Sequence, residues 1–89
     1  MLNPKLTSAY KSDIKTVKKR GYDMSLIKPV IENLLNEIPL DPKYKDHVLI
    51  GNYKGDRECH IEPDWLLIYT VIESDLVFVR TGTHSDLFG

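Results

Sequence analysis

Cysteine and long apolar runs are scarce in this sequence, and each scarcity excludes a class of protein. The 89 residues include one cysteine, Cys59, so no disulfide can form within the chain and a reducing compartment is expected. No apolar run approaches the ~20 residues that span a bilayer, and the first residues, MLNPKLTSAYK, lack the apolar stretch of a signal peptide. We therefore expect a cytoplasmic protein that has no membrane partner.

Net charge is also nearly absent, at −1 in total. Strong autonomous binding of RNA or DNA usually accompanies an isoelectric point above ~9, and the value here is about 6.3. The balance is nevertheless uneven along the chain. Residues 1–28 carry seven basic and two acidic side chains, and residues 29–89 carry five basic and eleven acidic ones. The basic segment is either a solvated face or a surface that meets phosphate.

The first part of the chain has the spacing of two amphipathic helices. In the first helix the apolar positions are Leu6, Tyr10, Ile14 and Val17. Thr7 or Ser8 can cap its start, and Gly21 stands where it would stop. A second helix is predicted from Leu26 to Ile38, with Asp23 or Ser25 as its cap. Pro29 removes a backbone donor, so this helix begins later than these cap residues suggest or it bends.

From His47 onward the pattern changes to short β-rich runs. Four strands are predicted, with the sequences HVLIGNY, ECHIEP, WLLIYTVI and LVFVRTG. The short links between them favour antiparallel neighbours, and residues 1–6 are a candidate edge strand against which Pro4 argues. The apolar content of 42% suffices for one core. We expect one α+β domain over residues 1–89, with two N-terminal helices packed on a small twisted antiparallel sheet.

Three histidines, His47, His60 and His84, lie at the edges of these runs. Imidazole exchanges protons near neutral pH, so a convergent set indicates an acid–base site, although three unrelated surface histidines are equally ordinary. With Asp64 the histidines could supply a mixed metal-ligand set. The sequence has no HExxH or paired-cysteine motif, so we expect no metal and no cofactor, and Cys59 is interpreted as a small buried hydrophobe.

Cleavage of RNA without metal is the chemistry that these residue types allow best. It needs a base for the ribose 2′-hydroxyl, an acid for the departing 5′-oxygen and a cation for the charged phosphorane. His60 or Asp64 can serve as the base, His84 as the acid, and Arg57 or Arg80 as the cation.

Three aromatic residues, Tyr53, Trp65 and Phe88, offer faces for unstacked bases. Trp65, Phe88 and Arg80 also have structural interpretations, and for Arg80 this is an ion pair with a surface carboxylate. Trp65 opens a strand and can belong to the core, and Phe88 can dock the end of the chain.

The segments that carry these residues resemble a known family. The motifs KDH, R-x-x-H-x-x-P-D-W and R-T-G-T-H-x-x-L-F-G occur in order, within YKDHVLIGNYKGDRECHIEPDWLLIYTV and VRTGTHSDLFG. They are similar to the YafQ-like branch of the RelE/ParE superfamily of bacterial type II toxins, over most of the chain. The resemblance implies a RelE-like fold and a ribosome-dependent mRNA endonuclease that cuts in the A site and leaves a 2′,3′-cyclic phosphate and a 5′-hydroxyl. It also implies silencing by a cognate antitoxin, with a monomeric toxin that becomes a hetero-oligomer when bound.

The resemblance extends to single residues. It implies catalytic roles for His47, His60, Asp64 and His84. It implies RNA contacts for Trp65 and Phe88, and phosphate stabilisation by Arg57 and Arg80. His84 is the expected general acid, and His60 and Asp64 together are expected to activate the 2′-hydroxyl.

Two other functions remain open from the sequence. Members of the wider superfamily bind DNA gyrase without cutting mRNA, and a ParE-like toxin of that kind would not need the histidines or Asp64. A ribonuclease that acts without the ribosome is the second alternative, against which the near-neutral charge argues. Toxins of this family tend to be basic, and the segment from Lys11 to Arg20 is the part of this chain that could still face ribosomal phosphate.

Overall fold

A five-stranded sheet organises the computed structural model, which describes residues 1–89. The strands are β1 (Asn3–Leu6), β2 (His47–Val48), β3 (Arg57–Glu62), β4 (Trp65–Ile72) and β5 (Asp75–Gly82). The helices are α1 (Ser8–Lys19), α2 (Lys28–Leu35) and α3 (His84–Phe88). The strand order is β1-β5-β4-β3-β2; β1 pairs parallel to β5 and every other pair is antiparallel. The predicted α+β class with two N-terminal helices is confirmed, with one parallel pair that the prediction did not contain.

Helix α1 begins where its cap residue predicts. The Thr7 hydroxyl oxygen accepts a hydrogen bond from the Tyr10 amide at 3.0 Å and donates one to the Val79 carbonyl at 2.7 Å. This second bond fastens the start of the helix to β5. Leu6, which the helical spacing included, instead ends the edge strand β1 and is 47% exposed. Pro4 is tolerated in β1 because an edge strand has one side without ladder partners.

Helix α2 begins at Lys28, later than its first apolar residues suggest. Pro29 therefore falls in the first turn, where a backbone donor is not needed. The helix ends at Leu35, and Glu37 adopts a left-handed φ of 57°, so Ile38 lies outside it. None of the helices is long and apolar enough to cross a membrane.

Strand β4 is the centre of the molecule, as its apolar sequence predicts. Residues 65–69 are all buried because both faces of the sheet are covered. On one face, Val17 of α1 and Val30 of α2 pack in the larger core cluster with Leu67. On the other face, Leu66 packs with Leu87 of α3. Helix α3 was not predicted from the sequence.

Strands β2 and β3 deliver residues to the second of these faces. The predicted strand HVLIGNY pairs only at its first two residues, and the chain then turns through a short 3-10 helix at Gly51–Tyr53, where Gly51 has a φ of +80°. In β3 the side chains alternate. Cys59 faces the helices and is fully buried, and burial raises the pKa of its thiol to about 12. Glu58 and His60 face the opposite side.

Candidate active site

The three histidines that are separated in sequence lie side by side. His47 opens β2, His60 lies within β3 and His84 is the first residue of α3. Their ring centroids are 6.2 Å apart for His47 and His60, and 5.7 Å apart for His60 and His84. The sheet causes this convergence, because His47 pairs with the residue two before His60, and Gly82 lies two strands across from His60. The three histidine rings therefore form one cluster in the structure.

Glu58 joins two of these rings and was missed in the sequence. Its side chain is 5% exposed, and one carboxylate oxygen lies 3.5 Å from His47 Nε2 and 3.3 Å from His60 Nε2. A buried carboxylate is costly unless it is paired. The signal that could have found it is strand alternation, since residues i and i+2 of β3 share a face.

The Nδ1 atom of both His47 and His60 contacts a backbone carbonyl oxygen. His47 Nδ1 lies 2.6 Å from the Lys45 carbonyl oxygen, and His60 Nδ1 lies 3.4 Å from that of Pro63. A carbonyl only accepts, so Nδ1 carries the hydrogen in both contacts. In both rings Nε2 lies beside Glu58, so the buried carboxylate and the two imidazoles form one cluster.

Asp64 contacts His84 and not His60. Its Oδ1 atom accepts hydrogen bonds from the His84 amide at 2.9 Å and from His84 Nδ1 at 2.6 Å. These two bonds lower the pKa of Asp64, so the carboxylate is ionised at neutral pH. The geometry differs from the expectation that Asp64 and His60 work together. It orients the ring of His84 through Nδ1 and leaves Nε2 of that ring without a hydrogen bond to the protein.

The two arginines occupy different faces. Arg57 alternates with Glu58 along β3 and therefore points toward the helices, where its Nε lies 3.2 Å from Asp46. The structure does not bring it to the histidines. Arg80 pairs across β4 in the same row as Glu58. Its guanidinium makes two bonds to Asp13, at 2.6 and 3.0 Å, and this partner raises its pKa further.

The aromatic residues also differ in their exposure to solvent. Trp65 is 1% exposed and donates from Nε1 to the Thr81 hydroxyl at 3.0 Å, so its ring has no face for a base. Phe88 is 49% exposed, with its ring centroid 6.3 Å from His84 and an edge contact to Tyr53 at 5.7 Å. Phe88 and Tyr53 are thus the aromatic surface of the site, and Trp65 belongs to the core.

A salt bridge fixes the helix that carries His84. Arg20, at the end of α1, makes two bonds to Asp86 of α3, at 2.6 and 3.0 Å. Asp86 also completes a capping box with Thr83. The Arg20 guanidinium, followed by these backbone bonds, holds the pKa of Asp86 well below its usual range. The pattern Thr83-x-x-Asp86 was the sequence signal for α3. Arg20 was expected to face phosphate, but its guanidinium is bonded to Asp86 within the protein.

Three donors at the centre of the site could hold a metal ion. Glu58, His60 and His84 each offer a ligand atom, and these atoms lie within 4.8 Å of one another. Nitrogen and carboxylate donors of this kind suit Zn²⁺ or Cu²⁺. The residue types in the sequence suggested His47 and Asp64 as further ligands and did not point to Glu58.

Known proteins with the same fold and similar sequence provide the comparison. A family model described as a bacterial toxin of type II toxin–antitoxin systems, YafQ, matches residues 2–89. The mRNA interferase toxin YafQ of Escherichia coli K12 is 48% identical over 81 residues, which are 90% of this chain and 88% of that protein.

Two solved structures superpose over nearly the whole chain. The DinJ–YafQ complex of E. coli contains a chain with a TM-score of 0.92 and 41% identity, and the match covers 100% of both chains. A metal-bound toxin from Helicobacter pylori has a TM-score of 0.92 and 46% identity, and the match covers 99% of this chain and 100% of that one.

Proposed function

The chain belongs to the YafQ family of bacterial type II toxins, and from this we propose that it is an mRNA-cleaving toxin that acts in the cytoplasm on ribosome-bound messages. The E. coli relative is named an mRNA interferase, which supports the substrate class. The observation that carries the reaction type is the cluster of three histidine rings with two carboxylates, Glu58 and Asp64.

The proposed reaction is an internal transesterification of RNA. The ribose 2′-hydroxyl loses its proton to a base, and its oxygen forms a bond to the adjacent phosphorus. The bond from phosphorus to the 5′-oxygen of the next nucleotide breaks, and that oxygen takes a proton from an acid. The products are a 2′,3′-cyclic phosphate and a 5′-hydroxyl, with no net change in protons.

His84 is the proposed general acid. Its Nδ1 is bonded to the ionised Asp64, which stabilises the imidazolium and leaves the proton on Nε2 for the leaving oxygen. Its side chain is 54% exposed, so a large substrate can reach it. The exposed ring of Phe88, on the same helix, would support the nucleotide that carries the leaving oxygen.

His60 is the proposed base, with His47 as its neighbour. Both rings hold Nε2 within 3.5 Å of the buried Glu58 side chain, which therefore lies next to whichever ring takes the proton of the 2′-hydroxyl. Glu58 thus favours the protonated ring that forms as the 2′-oxygen attacks. This pairing replaces the joint action of His60 and Asp64 that the resemblance implied.

Arg80 is the proposed source of positive charge near the phosphate. It lies on β5 in the same cross-strand row as Glu58, and its two bonds to Asp13 fix the direction of its guanidinium. Arg57 and Trp65 are not included, because one faces the helices and the other is buried.

A metal ion could bind at this site without being required by the proposed route. The donors Glu58, His60 and His84 fit a transition ion, and the H. pylori neighbour is described as metal-bound. A bound ion would supply Lewis-acid stabilisation of a phosphate oxygen. The proton transfers are assigned to the imidazoles alone.

The expected regulator is an antitoxin protein. The E. coli YafQ structure in complex with DinJ supports a partner of this kind. We propose that the toxin is a monomer by itself and forms a hetero-oligomer with its antitoxin, as the family resemblance implies.

The decisive experiment compares cleavage of a labelled message alone and in a 70S initiation complex, with wild-type protein and His84→Ala. We expect cleavage only on the ribosome, 2′,3′-cyclic phosphate ends, and no cleavage or growth arrest by the variant, which still folds and binds antitoxin. Cleavage in both tubes would remove ribosome dependence. Cleavage in neither tube, together with inhibition of DNA gyrase, would favour the gyrase-binding alternative.

A further inference from the structure

A cavity of about 360 Å³ opens beside His60, and no residue of α3 lines it. Its main lining residues come from three separate segments: Leu26, Lys43, Tyr44, Lys45, His60 and Glu62. The volume lies in the range of roughly 300–1,000 Å³ that is usual for small-molecule sites. The side chains of residues 43–45 have no role in the site proposed above, although the cavity shares His60 with it.

The cavity is lined by cations that have no carboxylate partner. Lys43 and Lys45, like the other lysines of the chain, take part in no ion pair in this structure, so their charges are not neutralised by a carboxylate. The Lys43 ammonium lies 5.1 Å from the centroid of the Tyr44 ring. A cation next to an aromatic ring offers contacts for both parts of a nucleotide, the phosphate and the base. Glu62 adds an acceptor that could meet an amino group of a base.

The backbone of Lys45 connects the cavity to the catalytic histidines. Lys45 adopts a left-handed conformation, with φ 51° and ψ 42°, which costs free energy for a residue that is not glycine. In this conformation its carbonyl oxygen receives the 2.6 Å contact from His47 Nδ1. The residue whose side chain lines the cavity therefore also fixes the ring of His47.

We propose that this cavity is a nucleotide subsite that holds the base and the 5′ phosphate of the nucleotide whose 2′-hydroxyl attacks. The proposal rests on the function proposed above, in which His84 and Phe88 serve the leaving nucleotide and His60 serves the attacking one. The cavity adjoins His60, so it lies on the attacking side of the scissile phosphate. Glu62 and Tyr44 would then select the base at that position of the codon.

The test uses full-length protein on programmed 70S ribosomes with a message that contains every codon. The variants are Lys43→Gln/Lys45→Gln, the charge-preserving Lys43→Arg/Lys45→Arg, and Glu62→Gln. The matched control is Lys5→Gln, which removes one positive charge at the opposite edge of the sheet. Cleavage positions, kcat/KM and cosedimentation with ribosomes are measured for each protein.

We expect the double glutamine variant to lose at least about tenfold in kcat/KM, the effect of one lost charge-assisted contact. The arginine variant retains most activity, Glu62→Gln changes the base preference 5′ of the cut, and Lys5→Gln behaves as wild type. Ribosome affinity stays unchanged in all of them.

Two results would overturn the proposal. A fall in ribosome affinity with unchanged base preference would assign the cavity to ribosomal RNA instead of the message. Unchanged kinetics and unchanged cleavage positions in every variant would show that no nucleotide uses the cavity. Failure of the proposed function itself is recognised separately, because wild-type protein would then leave the message uncut.

Discussion

The Oδ1 atom of Asp64 accepts hydrogen bonds from both the backbone amide and the ring Nδ1 of His84. One carboxylate oxygen therefore fixes where α3 begins and which way its first side chain points. It also fixes the tautomer of His84, because Nδ1 must hold the hydrogen that it donates. The orientation of His84, the acid proposed for the leaving oxygen, is thus determined by Asp64, which lies in a turn 20 positions earlier in the chain.

The substitution Asp64→Asn tests this arrangement. The amide side chain keeps an acceptor oxygen but not the charge that stabilises the His84 imidazolium. We expect kcat to fall about tenfold to a hundredfold, within the usual range for general acid catalysis, and the alkaline limb of the pH–rate profile to move to lower pH. Single-turnover cleavage on ribosomes between pH 5.5 and 9 measures both. An unchanged profile would show that Asp64 only stabilises the fold of the turn.

The substitution Glu58→Gln tests the proposed base. The amide keeps the size of the side chain and removes the negative charge beside the Nε2 atoms of His47 and His60. We expect about a hundredfold loss of kcat with little change in KM, because the charge acts mainly as the ring becomes protonated. Glu73→Gln, in the turn between β4 and β5, is the matched control and should cleave like wild type. A rise in KM as large as the fall in kcat would contradict a role confined to the transition state.

The contact between Arg20 and Asp86 predicts a pH-dependent contribution to stability. The folded pKa of Asp86 is depressed, so its contribution is complete above the unfolded value of about 3.9 and is lost as the pH falls toward the folded value. We expect Arg20→Gln to melt below wild type at pH 6. The difference between the two melting temperatures should shrink progressively as the pH falls below 4.

Thermal melts of both proteins across this pH range give the measurement. Lys19→Gln, one residue earlier in α1 and in no ion pair of the structure, is the control for general loss of positive charge. A melting difference that stays constant down to pH 2 would mean that Arg20 stabilises the protein through something other than Asp86.

Divalent transition ions are expected to inhibit cleavage. Glu58, His60 and His84 fit Zn²⁺ or Cu²⁺, and an ion bound there withdraws both rings from proton transfer. Protein treated with a chelator should keep its activity, and added Zn²⁺ should lower it while Mg²⁺ at equal concentration does not. Calorimetric titration of Zn²⁺ should show weaker binding to His84→Ala. Loss of activity with the chelator, restored by Zn²⁺, would refute a metal-free route.

Much of the fold could be predicted because its signals are local. Thr7 caps α1 through contacts within one turn, and the uninterrupted apolar run of β4 indicates a strand covered on both faces. Helix α3 was missed because five residues are too few to show a helical period. The strand predicted after His47 was too long because the turn at Gly51 ends its pairing after two residues.

The sequence indicated part of the candidate site, but it did not indicate Glu58 or the pairings between side chains. The three histidines and Asp64 were named from residue types and motifs. The pairing of each carboxylate with a ring depends on the register between strands and on the direction of α3. No local sequence pattern predicts either of these. Alternation along β3 could have placed Arg57 on the helix side and Glu58 with His60. The cavity at residues 43–45 depends on packing between distant segments and has no sequence signal.

The reaction of Cys59 with an alkylating reagent can report how often the centre of the sheet opens. The only thiol of the chain is fully buried beneath the helices, and in sequence it directly precedes His60, the proposed base. Because its pKa is raised to about 12, almost none of it is thiolate at neutral pH, and an alkylating reagent can reach it only when the sheet opens. The rate of labelling therefore counts opening events of the centre of the sheet. Slower labelling in the presence of an antitoxin would give the free energy by which that partner holds the toxin closed, without attaching any probe to the active surface.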